Sequence, residues 1–220
     1  MTKEQLDILQ NLYLAFSPSH HEEEMSTLVQ QELTAMNISF DLHKMQIFKI
    51  IKGQPIFAAH MDQVSSKRLV DLYVHRNCIF GNGNLGADDK NGVWILLQVL
   101  KKFPNISFIF STGEEAGFDI DDILKEHEKE LEDIPYGIVF DRRNGKDIIG
   151  FNNSYCNKDF EDDISSIGLE FGYRPATGTI SDCDQLSRFK IPCVNLSCGY
   201  YNPHSADEFT DLLELENALT

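Results

Sequence analysis

Apolar residues at the start of the chain recur at helical spacing. Leu6, Leu9, Leu12, Tyr13 and Phe16 form one stripe, which predicts a helix over residues 2–16. Ser17-Pro18-Ser19 interrupts it. Ser19 with Glu22 fits a capping box for a second helix, whose apolar face is Met25, Leu28, Val29, Leu33 and Met36. The period then shortens to that of strands over Ile38–Leu42 and Ile47–Ile51, with a turn at Gly53–Gln54. Pro55–Ala59 is short and wholly apolar, the pattern of an inner strand covered on both faces. Val70–Val74 and Cys78–Phe80 read as a hairpin ahead of the glycine-rich GNGNLG loop, and Asn91–Phe103 as a helix. Ile106–Phe110 and Gly137–Phe140 are two more inner strands, separated by a polar helix over 119–131. Cys156–Leu169 and Ser181–Phe189 read as helices, Cys193–Leu196 as a strand and Asp207–Leu219 as the closing helix. Strands alternating with helices imply an α/β sandwich around a largely parallel sheet.

Composition narrows the partners. The 220 residues, 42% hydrophobic and 25% charged, suit one domain with a single sizeable core. A formal charge of −16 argues against nucleic acid or an anionic membrane surface as partner, since both require clustered cations. The N-terminal MTKEQLDILQNLYLAF lacks the layout of a signal peptide, and no apolar run approaches the roughly 20 residues that span a bilayer. Five cysteines, odd in number and without CxxC spacing, are expected to be free thiols in a reducing cytoplasm. The VNLS between Cys193 and Cys198 is strand-like, which makes those two core residues rather than a ligand pair.

The chemistry sits where apolar runs end. His60 and Asp62 are two residues apart, so an extended chain puts both on one side, and Asp62 can fix the tautomer of His60. Asp88-Asp89 lies in a glycine-flanked loop opening a helix. One carboxylate there can bridge two cations, although helix starts favour Asp in any case and the adjacent Lys90 fits a solvated cap. Glu114-Glu115 follows the strand SFIF, so that one carboxylate can bind metal while its neighbour accepts a proton. Asp141 ends another inner strand, and His204 lies in a Pro-containing loop before an acidic turn. His20, His21, His43, His75 and His127 have no such setting and read as surface residues. In open α/β sheets, sites gather beyond the carboxyl ends of the strands.

The HxD of His60–Asp62, the GADDK of Gly86–Lys90, the GEE of Gly113–Glu115, the strand-end Asp141 and the late His204 stand in the order found in one family. Together they resemble the co-catalytic zinc exopeptidases and amidohydrolases, which include peptidase T, glutamate carboxypeptidase-like enzymes and single-domain zinc aminopeptidases. The tail TISDCDQLSRFKIPCVNLSCGYYNPHSADEF is similar to the peptidase T type, and the resemblance spans nearly the whole chain. It implies a three-layer sandwich with a mixed, mostly parallel sheet and two divalent metal ions, zinc or alternatively cobalt or manganese. His60 and Asp141 would bind the first ion, Glu115 and His204 the second, and Asp88 both. Asp62 would orient His60, Glu114 would be the general base, and Asp182 would stand behind the ligands or face substrate.

Two departures bear on substrate. Only 62 residues separate Asp141 from His204, too few for the lid or dimerisation domain that many relatives insert there. Residues 1–220 are therefore expected to form a single catalytic domain. Arg142-Arg143 also follow Asp141 where peptidase T relatives tend to have glycine, either as a clamp for a substrate carboxylate or pointing to solvent. The expected activity is hydrolysis of short peptides from the amino end. A carboxypeptidase, an N-acyl amino acid deacylase and a catalytically silent relative are the alternatives, and the oligomeric state is left open.

Overall fold

Two helices begin the computed structural model, which describes residues 1–117 and 120–219. They are α1 (Lys3–Leu14), closed by a Thr2–Gln5 capping box, and α2 (Glu23–Ala35). No side chain caps α2. Ser19, expected there, gives its hydroxyl to Asp62 instead, because the SPS turn carries it toward the sheet. Strands β1 (Asp41–His43) and β2 (Gln46–Lys49) form a tight hairpin around Lys44-Met45, with Lys44 left-handed. Then come β3 (Ile56–His60), the hairpin β4 (Leu72–His75) and β5 (Cys78–Gly81), and α3 (Ala87–Lys102). β6 (Ser107–Ser111) follows, then a short 3₁₀ turn at Glu114–Ala116, α4 (Asp121–Glu126) and α5 (Glu128–Leu131). The helix expected over 119–131 is thus two pieces, broken at His127, and residue 119 lies outside the described residues. The second half of the chain holds β7 (Gly137–Arg142), β8 (Asp147–Ile149), α6 (Lys158–Gly168) and β9 (Arg174–Ala176). It continues through α7 (Asp182–Arg188), β10 (Cys193–Ser197), β11 (Tyr200–Tyr201), β12 (Phe209–Asp211) and α8 (Leu212–Asn217).

Eight strands make the main sheet, in the order β1-β2-β6-β3-β7-β10-β8-β9. The middle four, β6-β3-β7-β10, are parallel, while β2 and β8 join them antiparallel. Side-chain alternation along these strands sorts residues into two cores. Ala59, Phe108, Phe110 and Phe140 pack with α1, α2 and α3, whereas Ile56, Ala58, Ile109 and Val139 pack with α4 and α7. Both faces of the sheet are therefore covered, which is why the inner strands read as continuous apolar runs. Helix α3 lies so close to β7 that a Cβ on Gly92 would meet the Phe140 carbonyl oxygen at 2.0 Å. No helix among the described residues is long and apolar enough to cross a membrane.

A second, antiparallel sheet runs β11-β12-β5-β4. It corrects the expected closing helix, whose first residues form β12 against β5 before Asp211 caps α8. The pairing brings the chain's end beside the glycine-rich loop that leads into α3. All five cysteines are free thiols, and Cys183, Cys193 and Cys198 are buried.

Candidate metal centre

The carboxyl ends of three parallel strands and the turn of the second sheet converge on one cavity of about 330 Å³, lined in part by Asp88, Glu114, Glu115, Asp141 and His204. His60 is the last residue of β3 and is almost fully buried. Its Nε2 lies 3.4 Å from Asp88 Oδ1 and 3.6 Å from Asp141 Oδ1. The other nitrogen, Nδ1, faces Asp62, 3.1 Å from the backbone oxygen and 3.3 Å from Oδ1. Across the cavity, His204 Nε2 lies 2.7 Å from Glu115 Oε1 and 3.2 Å from Asp88 Oδ2. Asp88 thus turns one oxygen to each imidazole. Two donor groups result, His60–Asp88–Asp141 and Asp88–Glu115–His204, sharing that carboxylate.

Local structure explains the placement. Gly113 adopts φ 74°, which lets the chain double back after β6 and start the 3₁₀ turn holding both glutamates. Asp62, fully buried, accepts the Glu114 N–H at 3.1 Å and the Glu115 N–H at 3.1 Å, with the Ser19 hydroxyl at 2.7 Å. One carboxylate therefore fixes both the His60 ring and the backbone of the glutamate pair. Asp88 and Asp89 have non-helical backbone inside the span assigned to α3, so regular helix starts after them. Asp89 accepts the backbone N–H groups of His60 and Gly92. Lys90 is no solvated cap: it is buried and donates to the carbonyls of Tyr13 and Ala15 and to Gln63 Oε1. Asn195 exchanges hydrogen bonds with the backbone of Asp141 and holds the end of β7.

Four cavity carboxylates face two imidazoles, so even full protonation of both rings leaves two negative charges uncompensated. The ionisation pattern records this crowding. Burial pushes Glu114 up to about 7, with the charges of Asp182, Glu115 and Asp88 adding to it against that of His60. Burial likewise raises Glu115 and lifts Asp141 well above the ordinary range. Asp88 goes the other way: hydrogen bonds from His204 and His60 overcome the cost of burial and hold it well below. His204 is raised to about 9, by its hydrogen bond to Asp88 ahead of the opposing effect of burial. Buried like charges of this kind call for cations. The donor set suits them, since donors around a tetrahedral zinc sit about 3.3–3.6 Å apart. The His60 contacts of 3.4 and 3.6 Å match that spacing, whereas the 2.7 Å hydrogen bond between His204 and Glu115 in the second group would have to open to admit an ion.

No known sequence family matches the chain, and no curated protein is similar to it in sequence. Solved structures do match. The aminopeptidase PepT of Bacillus cereus superposes with a TM-score of 0.75 at 15% identity, over 98% of this chain and 96% of that one. The chain has the PepT–TET aminopeptidase fold. The TET aminopeptidase of a Thaumarchaeota archaeon gives 0.74 at 12% identity, over 99% and 95%. A Thermotoga maritima protein described as an endoglucanase gives 0.69 at 12% identity, over 96% and 94%. Proteins described by different activities thus share the PepT–TET fold, and the chemistry has to be read from the side chains.

Some residues at this site of the PepT–TET fold escaped the sequence reading. Glu208, in the acidic turn after His204, is buried and accepts the N–H groups of Gly86 at 2.6 Å and Asp88 at 3.2 Å and the Asn84 amide at 2.7 Å. It ties the His204 turn to the Asp88 loop. The signal for it was indirect: the glycine-rich loop opening α3 carries no capping side chain of its own, so its N–H groups need an acceptor from elsewhere. Tyr200 and Asn195 also line the cavity. Asp182 does not line it. It is buried and accepts the Ser111 hydroxyl at 2.7 Å, behind the glutamates. Of the histidines read as surface residues, His20, His21 and His75 are exposed, whereas His43 and His127 are half-buried, His127 against the ring of Phe48 in β2.

Proposed function

We propose that this chain is a two-metal hydrolase that removes the N-terminal residue from short peptides, acting as a single catalytic domain without a lid. The observation that carries the reading is the division of Asp88, whose two oxygens serve separate His–carboxylate groups with Glu114 alongside. His60 and Asp141 would hold one ion, Glu115 and His204 the other, and Asp88 both. Zinc suits imidazole and carboxylate together, with cobalt or manganese as substitutes. When bound, the two ions supply Lewis acidity toward the scissile carbonyl and the attacking water. Glu114, at about 7, takes the proton from that water and returns it to the departing amine. Asp62 keeps the His60 ring oriented and fixes the backbone of Glu114, so ligand and base keep their relative positions.

Glycoside hydrolysis fits the site less well. It needs an acid and a base carboxyl flanking a sugar, which would leave the two His–carboxylate groups that share Asp88 without a role. The test is a paired assay. Protein loaded with zinc, cobalt or manganese is given aminoacyl arylamides and short peptides, and the same peptides acetylated at the amino end. Cleavage of the free peptides with rejection of the acetylated ones is expected. Cleavage of the acetylated forms in preference would replace the aminopeptidase with a deacylase or carboxypeptidase.

A further inference from the structure

The two arginines after Asp141 are not equivalent. Arg142 is half-buried, and its Nε and Nη2 lie 3.0 and 2.9 Å from Asp147 Oδ2, so its charge is already matched. Arg143 is exposed, lines the same cavity as Glu114, Glu115, Asp141 and His204, and forms no ion pair among the described residues. Its backbone is nonetheless held firmly. The Arg143 carbonyl accepts the Ser197 hydroxyl at 2.8 Å, and the N–H of the left-handed Asn144 donates to the Tyr200 carbonyl at 2.8 Å. The side chain therefore leaves from a fixed point on the cavity wall. The lining thus combines four carboxylates with one unmatched guanidinium, and Ile149, Thr179 and Ile180 add largely apolar wall.

We infer that Arg143 is a specificity-determining residue that binds the free carboxylate of the substrate, so that the site reads both ends of a small zwitterionic peptide. This rests on the proposed aminopeptidase reading and narrows it to peptides with a free acid end. A planar guanidinium matches a carboxylate with two parallel hydrogen bonds, which a Lys cannot reproduce. The cavity, about 330 Å³, is at the small end for ligand sites, so a bound peptide's far end stays within it.

The experiment compares X-Gly dipeptides, their C-terminal amides and aminoacyl arylamides, in the metal-loaded wild type and in Arg143→Gln, Arg143→Lys and Arg143→Glu. The wild type should favour the free acid over the amide by about 10- to 100-fold, mostly through KM, the range for a charge-assisted pair. In Arg143→Gln that preference should collapse to within a few-fold of unity, Arg143→Lys should restore part of it, and Arg143→Glu should favour the amide. Equal use of acid and amide by the wild type, with the arylamides still cleaved, overturns the inference and leaves the aminopeptidase reading standing. A preference that survives unchanged in Arg143→Gln overturns it too. Failure to cleave any of the three substrate types overturns the parent reading, and this inference with it.

Discussion

Removing the Glu208 carboxylate should loosen the bridging aspartate before it loosens the fold. In Glu208→Ala, three donors lose their acceptor: the N–H groups of Gly86 and Asp88 and the Asn84 amide. At about 1–2 kcal/mol for each unsatisfied donor, the gross cost is about 3–6 kcal/mol. Part is returned, because Glu208 is itself held at a cost. Burial first of all, with the charge of Asp88 behind it, pushes its carboxyl from 4.5 up to about 7. Keeping it ionised at pH 8 therefore costs about 3 kcal/mol, at about 1.4 kcal/mol per tenfold. The net loss of stability is about 0–3 kcal/mol, which leaves the protein folded. Metal binding should weaken as well, by about 10- to 100-fold, as when a group supporting a ligand is removed. Urea unfolding of the chelated protein and calorimetric titration with zinc measure the two effects separately. Glu208→Gln, which keeps the shape and one acceptor, should fall between wild type and Ala. Wild-type zinc affinity in a folded Glu208→Ala protein would refute the claim that this carboxylate positions Asp88.

Glu114→Gln should lose about 100- to 10,000-fold in turnover while binding the same number of ions, as read by steady-state kinetics beside elemental analysis. Loss of an ion instead would mean that Glu114 and Glu115 have exchanged roles. Zinc must displace the proton on His204, so apparent affinity should fall by up to about tenfold per pH unit below about 9. Titrations at pH 6, 7 and 8 in which affinity does not change would contradict this. In the chelated protein the same raised pKa stabilises the fold fully below 6.5, and that contribution is lost as pH rises through about 9. Unfolding midpoints of wild type and His204→Ala should therefore converge over that window.

The gathering of His60, Glu114, Glu115 and Asp141 at one edge was legible because each follows an inner strand, and parallel strands deliver their ends to one edge. Asp88, in the glycine-flanked loop opening α3, and His204, in the loop after β11, were legible through the motif order of the resemblance. The inner strands were legible for a related reason. Ile56–His60 and Ser107–Ser111 are covered on both faces and carry no polar alternation to mislead. What escaped depends on partners distant in the chain. Phe209–Asp211 looks like the start of a helix until β5 pairs with it. Ser19 has the spacing of a cap, yet it meets Asp62 across 43 positions of sequence. Lys90 looked solvated because no local pattern reveals that carbonyls at the end of α1 receive it. Glu208 was one acid in an acidic turn, and only the folded loop supplies its three donors.

The shared carboxylate of Asp88 is the centre of this account, and metal stoichiometry tests it most directly. Protein stripped with chelator, saturated with zinc and freed of excess should carry two ions per chain by elemental analysis, and a folded Asp88→Ala protein should carry at most one. A wild-type chain that saturates at one ion or none, or an Asp88→Ala chain that still holds two with unchanged affinity, would contradict it.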